Sequence, residues 1–218
     1  MLSARLTLRS ISKEKKKFKI KKGGFNEKKP IPSVGYLNFE EIKMKIHNVD
    51  MEKIDQFIEE VKKDSSKAIK TKKVSGEWNL KEDRPQFQAE LEFASGKETV
   101  FSEQAPFMGG EGKKPEPIQY CLYGLCACYA ATFVSLANME GVSLKSLKVS
   151  AENQIDLSPA LGLSENPIVQ KVKIALLVAS DASPDKLKEI EKLALARCPG
   201  VYCLTQPIPL ETEMKKEG

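Results

Sequence analysis

Histidine is nearly missing from this 218-residue chain, since His47 is the only one. A histidine-rich metal site and a pair of separate histidine-dependent dyads are therefore both excluded. Flanked by Ile46 and Asn48, His47 is expected in a surface loop. The five cysteines include no C-x2-C knuckle, which argues against a zinc site. The first residues lack the apolar centre of a secretory signal, so the cysteines are read as thiols in a reducing compartment, whether catalytic, metal-binding or inert. No internal repeat and no βαβ dinucleotide fingerprint occurs, which removes the nucleotide-dependent oxidoreductases of that type. Arginine is scarce as well: Arg84 is the only one between residues 10 and 196.

Positive charge is present in quantity but in one place. Residues 1–30 hold eleven Lys and Arg against Glu14 and Glu27, a net +9, which leaves −4 on the rest of a chain whose total is +5. The body is mildly acidic, so the basicity belongs to an extension and implies no specific nucleic-acid partner. Residues 1–35 are expected to form a basic, disordered N-terminal extension. Within it "MLSARLTLRSIS" carries Arg rather than Lys and no acid before Glu14. That composition fits a mitochondrial transit peptide over residues 1–12, the alternative to a cytoplasmic location.

Regular structure is expected to begin after the Gly/Pro-punctuated stretch 23–35. Residues 36–72 form an amphipathic helix with its linker, in which Asp50 is the N-cap and Met51, Ile54, Ile58 and Val61 lie on one face. Residues 73–218 form the main domain. Strands are expected at 74–80, 86–94 and 98–102, the second alternating at Phe87, Ala89, Leu91 and Phe93. A second group follows at 147–155 and 168–180, with Val172, Ile174, Leu176 and Val178 on one face. Pro184 opens a helix that turns Leu187, Ile190, Leu193 and either Leu195 or Ala194 inward and stops at "CPG". The closing "QPIPLETEM" reads as an edge strand, because its prolines cannot donate to a ladder. The sum is an α+β plan without crossover units.

Between the two strand groups lies "PIQYCLYGLCACYAATFVSLANM", residues 117–139, with three cysteines and no charge. Its length would span a bilayer. Gln119, Gly124, Thr132, Ser135 and Asn138 dilute its apolar content, and its flanks read as strands, so a transmembrane segment is not the reading. A helix apolar all round is instead expected to be buried on every side, as at the centre of a dimer. On the helical wheel Cys128 lies about 20° from Cys121 and Cys126 points away from both. Cys121 and Cys128 are roughly 10.5 Å apart along the axis, beyond the ~7 Å reach of a disulfide. Any partner for a thiol of this helix must come from "CPGVYC", as Cys198 or Cys203. A turn beginning at Pro199 would place Cys198 at a helix N-terminus, where thiol pKa values fall.

These motifs resemble those of the OsmC/Ohr family. "EPIQYCLYGLCACY" resembles its central-helix signature, in which a proline precedes the peroxide-reacting cysteine by eleven positions; from Pro117 that is Cys128. "RCPGVY" resembles the family's second cysteine followed by proline, which gives Cys198. "APFMGGEGKKPEP" resembles the glycine-rich approach to the helix, and the likeness extends over roughly residues 50–213. It implies an OsmC-like α+β fold, with antiparallel sheets wrapped around a long buried central helix in an intertwined homodimer. It also implies thiol-dependent reduction of organic hydroperoxides by Cys128 and Cys198 through a disulfide, with a lipoyl-type or thioredoxin-like dithiol as reductant and no metal or organic cofactor. The family pairs these cysteines with an Arg, for which Arg84 is the candidate, and with a Glu just after the proline, where this chain has Ile118. The other readings are a non-enzymatic small-molecule-binding module and a persulfide carrier, and Cys203 competes with Cys198 as the resolving thiol.

Overall fold

A computed structural model describes residues 45–217. The basic extension and its transit-peptide reading lie outside the described residues. The elements are β1 (Lys45–Ile46), β2 (Val49–Asp50), α1 (Met51–Lys63), β3 (Ser75–Trp78), β4 (Phe87–Phe93), β5 (Gly96–Ser102), α2 (Pro117–Met139), β6 (Leu144–Ile155), β7 (Val169–Ser180), α3 (Pro184–Arg197) and α4 (Pro199–Thr205). Every strand pairing among them is antiparallel, in a β1–β2 hairpin, a β3–β4–β5 meander and a β6–β7 hairpin.

The core forms where α2 crosses the β6–β7 hairpin and receives α3 and α4. Strict alternation along β7 turns Val172, Ile174, Leu176 and Val178 to that core, while Lys171, Lys173, Ala175 and Leu177 face out. From α3 come Ile190 and Ala194, both fully buried, whereas Leu195 stays exposed. Ser183 caps α3 by accepting from the Lys186 N–H, and Pro184 fills the first helical position. At α2, Glu116 and Gln119 form a capping box around Pro117. The helix ends at Gly141, which takes the left-handed conformation (φ 66°) as the Val142 N–H reaches back to the Ala137 carbonyl.

The structure corrects three expectations. α2 is not buried on every side. Leu125, Tyr129, Phe133, Leu136 and Ala137 are covered, yet Tyr123 is 72% exposed, and Gly124, Ala127 and Ala131 beside it are open. Residues 206–214 form no strand: Pro207 and Pro209 cannot donate, and no ladder among the described residues takes the segment up. The turn foreseen as a condition on Pro199 is a short helix, α4, which ends before this segment. His47 is no free surface residue.

His47 and Asn48, at φ 48° and 64°, form the two-residue turn between β1 and β2, the left-handed pair that a tight hairpin requires. From that turn the ring reaches into the core. Nε2 accepts from the Leu144 N–H (2.8 Å), which leaves Nδ1 as the protonated nitrogen facing Asn138 Oδ1 at 2.5 Å. Asn138, itself 6% exposed, donates its amide to the Ile46 carbonyl (3.0 Å). Two polar side chains thus lock the β1–β2 hairpin, and with it α1, to the end of α2 and the start of β6. Met51, 1% exposed at the start of α1, packs beside this lock. His47→Ala and Asn138→Ala should each cost about 1–3 kcal/mol, because each leaves a buried partner unpaired. Denaturant unfolding of both single variants and the double should show a combined loss smaller than the sum; strict additivity would mean the two side chains do not act as one network.

Candidate active site

Cys128 lies midway along α2, one residue before the fully buried Tyr129 and at the margin of the buried stripe, so it is only partly covered. Its carbonyl accepts from Thr132 Oγ1 (2.9 Å) one turn on, a bond internal to the helix. Cys198 stands at the corner between α3 and α4. It ends one helix and is the N-cap residue of the next, with Pro199 as the first residue of α4. Pro199 has no N–H and a fixed φ, so α3 cannot run on through it and the chain turns. That turn brings the Cys198 sulfur, 1% exposed, to 3.6 Å from the Cys128 sulfur. The pair is in hydrogen-bond contact and is not bonded, and all five cysteines are free thiols. Cys126 is partly covered and Cys121 exposed.

Gly200 makes the approach possible. A Cβ there would meet Cys128 Cβ at 3.3 Å and Cys128 Sγ at 3.6 Å. The missing side chain lets the first turn of α4 lie against the thiol, where the Gly200 backbone N–H draws its pKa down. Sequence reasoning did not assign Gly200 a role; the signal was the "CPG" triplet, in which a glycine at the second helical position costs propensity and so needs a packing reason.

The electrostatics of Cys128 are mixed. Burial pushes its thiol above the ordinary range, the Gly200 N–H pulls it back, and the Cys198 thiol, next to which a second thiolate is unwelcome, pushes it up again. The net direction is upward. Tyr129 is pushed up to about 12, by burial first and then by Glu191 and Cys198, and remains a neutral phenol.

Arg84 is elsewhere. It lies exposed in the turn before β4 and lines an open cleft of about 450 Å³ with Phe101, Glu103, Lys113 and Lys114, to which neither Cys128 nor Cys198 contributes. Glu103 in that cleft is 4% exposed and accepts from the Lys113 N–H at 3.0 Å. The structure therefore brings Cys128 and Cys198 together and leaves Arg84 apart from them. Ile118, partly buried in the first turn of α2, offers no charge to either place. Among the described residues no three His, Cys, Asp or Glu side chains converge as a metal site.

Residues 110–213 match the family described as OsmC-like protein, a span that contains both cysteines and excludes Arg84. No curated protein matches the chain. Among solved structures, the OsmC-like protein from Mycoplasma pneumoniae is similar at 20% identity and TM-score 0.47, over 62% of this chain and 87% of that one. An organic hydroperoxide resistance protein OsmC from Legionella pneumophila follows at 16% identity and TM-score 0.46, over 63% and 92%. The organic hydroperoxide resistance protein OhrB of Bacillus subtilis is similar at 15% identity and TM-score 0.42, over 62% and 91%.

An upward-shifted thiol is neutral at pH 7, and its thiolate grows only as the pH passes above the free-cysteine value of about 8.5. With only the groups of one chain around it, at a dilution that keeps the chain monomeric, Cys128 should therefore be alkylated by iodoacetamide with a midpoint above that value. Cys198→Ala should lower the midpoint, because it removes the competing thiol while Gly200 stays. A midpoint unchanged in that variant would mean the two sulfurs do not share their ionisation.

Proposed function

We propose that this chain, which matches the OsmC-like protein family through residues 110–213, is a thiol-dependent organic hydroperoxide reductase of oxidative-stress defence. The observation that carries this reading is the 3.6 Å approach of a half-covered Cys128 to a buried Cys198. In the proposed cycle the Cys128 thiolate attacks one peroxide oxygen. The O–O bond breaks, the alcohol leaves, and Cys128 becomes a sulfenic acid. Cys198 then attacks that sulfur and releases water, and the resulting disulfide is reopened by an external dithiol. The Gly200 N–H supports negative charge on the Cys128 sulfur before attack. Little rearrangement is required for the second step, since the sulfurs need to close by only about 1.5 Å to reach the disulfide bond length.

One component is missing from the site as a single chain builds it. A thiol pushed upward by burial needs a cation to be half ionised near pH 7, and Cys128 has only a backbone N–H beside it. The proposal therefore includes a homodimer in which Arg84 serves the site of the other subunit. Two open apolar surfaces support this part: the Tyr123–Gly124–Ala127–Ala131 face of α2, and Leu91, Phe93 and Trp78 on the meander, exposed by 37%, 54% and 51%. Exposed patches of this kind mark contact surfaces. Residues 1–35 are proposed to take no part in the chemistry.

One equivalent of cumene hydroperoxide should remove two hydrogens from each chain and join Cys128 to Cys198. Cys128→Ser should abolish turnover, and Cys198→Ser should stop at a sulfenic acid that dimedone traps. Full turnover by Cys128→Ser would end the reading. A chain that stays reduced would indicate a binding module, and sulfur gained only from a sulfur donor would indicate a persulfide carrier. Sedimentation at micromolar concentration should show a dimer; a stable folded monomer would remove the shared-site part of the proposal.

A further inference from the structure

The two-cysteine cycle leaves a third thiol of the same site unused. Cys203 sits on α4, five residues after Cys198, and is exposed where Cys198 is buried. On the helical wheel it lies about 60° from Gly200, and Cβ positions three residues apart on a helix are roughly 5–6 Å from each other. The Cβ position of Gly200 is 3.6 Å from Cys128 Sγ. Cys203 therefore stands at the rim of the Cys128 site, its Cβ within roughly 9 Å of that sulfur. The electrostatics agree, for after burial and the Cys198 thiol, Cys203 is the next group that pushes Cys128 up. Cys198 and Cys203 cannot pair on an intact α4, because five residues rise about 7.5 Å, beyond disulfide reach. A Cys128–Cys203 pairing also needs α4 to yield, but Cys203 lies near the side of α4 that Gly200 presses against Cys128.

We infer that Cys203 is a relay thiol, which takes Cys128 out of a buried Cys128–Cys198 disulfide and offers the new disulfide to a dithiol protein at the surface. The need for it is access. With Cys198 1% exposed and Cys128 partly covered, a protein-sized reductant reaches neither sulfur easily. In the exchange the Cys203 thiolate attacks the Cys128 sulfur. A Cys128–Cys203 bond forms as the Cys128–Cys198 bond breaks, and Cys198 leaves as a thiolate that takes up the proton Cys203 gave. No electrons enter at this step. The external dithiol then supplies two electrons and two protons to the exposed disulfide and becomes a disulfide itself. The last turn of α4 has to shift by a few ångströms; this seven-residue helix has no side-chain N-cap and is short enough to yield.

The inference rests on the reductase reading for the source of the disulfide, so its test uses an oxidant that does not depend on that reading. The full chain is oxidised with one equivalent of diamide, quenched in acid at intervals, alkylated and mapped with chymotrypsin, which cuts at Tyr202 between the two cysteines. The Cys128–Cys198 peptide should appear first and a Cys128–Cys203 peptide should grow from it. A map holding only Cys128–Cys198 at all times overturns the relay. Under peroxide turnover, Cys203→Ser should fall about tenfold with a thioredoxin-class reductant and far less with dithiothreitol, which is small enough to enter. An equal loss with both, or none, also overturns it. If diamide yields the exchange and peroxide oxidises nothing, the reductase reading fails and the relay stands.

Discussion

One stripe of α2 holds the rest of the domain in place. Leu125, Tyr129, Phe133 and Leu136 follow one another at helical spacing, and β6, β7, α3 and α4 all pack on them. Cys128 is adjacent to Tyr129 in sequence and therefore lies about 100° round the helix, at the edge of that stripe. The position meets two opposing demands on a reactive thiol. A sulfur on the stripe itself would be sealed as Tyr129 is, and one on the far side would share the exposure of Tyr123 and have no neighbour to resolve it. The α3–α4 corner then needs only a proline to turn the chain and a glycine to let it close on the sulfur.

Much of this was legible in the sequence where periodicity was sharp. α1, β4, β7 and α3 fall where their apolar spacing put them, with Asp50 as the N-cap of α1 and Pro184 opening α3. The helix over 117–139 was equally plain, but its orientation was not. When nearly every side chain is apolar the wheel has no contrast, and only the neighbours decide which face is covered. His47 was misread for a related reason. A lone histidine between Ile46 and Asn48 gives no hydrophobic signal, and its importance comes from Asn138 and Leu144, more than ninety residues away. The short α4 was foreseen only as a condition on Pro199, and the tail at 206–214 was given a ladder that its prolines leave unformed.

The two cysteines were located by their motifs, yet what makes them a pair is not in either motif. "CACY" and "RCPGVY" are seventy residues apart, and their sulfurs meet because α3 and α4 both pack against α2. Arg84 shows the opposite case. It was singled out because arginine is so rare here, and a scarcity argument says nothing about distance; within one chain the residue opens onto a different cleft.

The uncovered surfaces and the unfinished electrostatics have a common cause. A core that closes around one stripe of α2 leaves the small-residue face of Gly124, Ala127 and Ala131 open beside Tyr123, and it gives β4 too little to cover Leu91 and Phe93. The same closure surrounds Cys128 with neutral groups, so its thiol is pushed upward with a single backbone N–H acting against burial. Neither shortfall is repaired by adjusting residues within the chain. Adding a charge on the stripe side of Cys128 would place it against the buried core cluster. In the homodimer proposed above both would be met from outside the chain, the meander face with Leu91, Phe93 and Trp78 supplying apolar cover and Arg84 of the second copy supplying the charge.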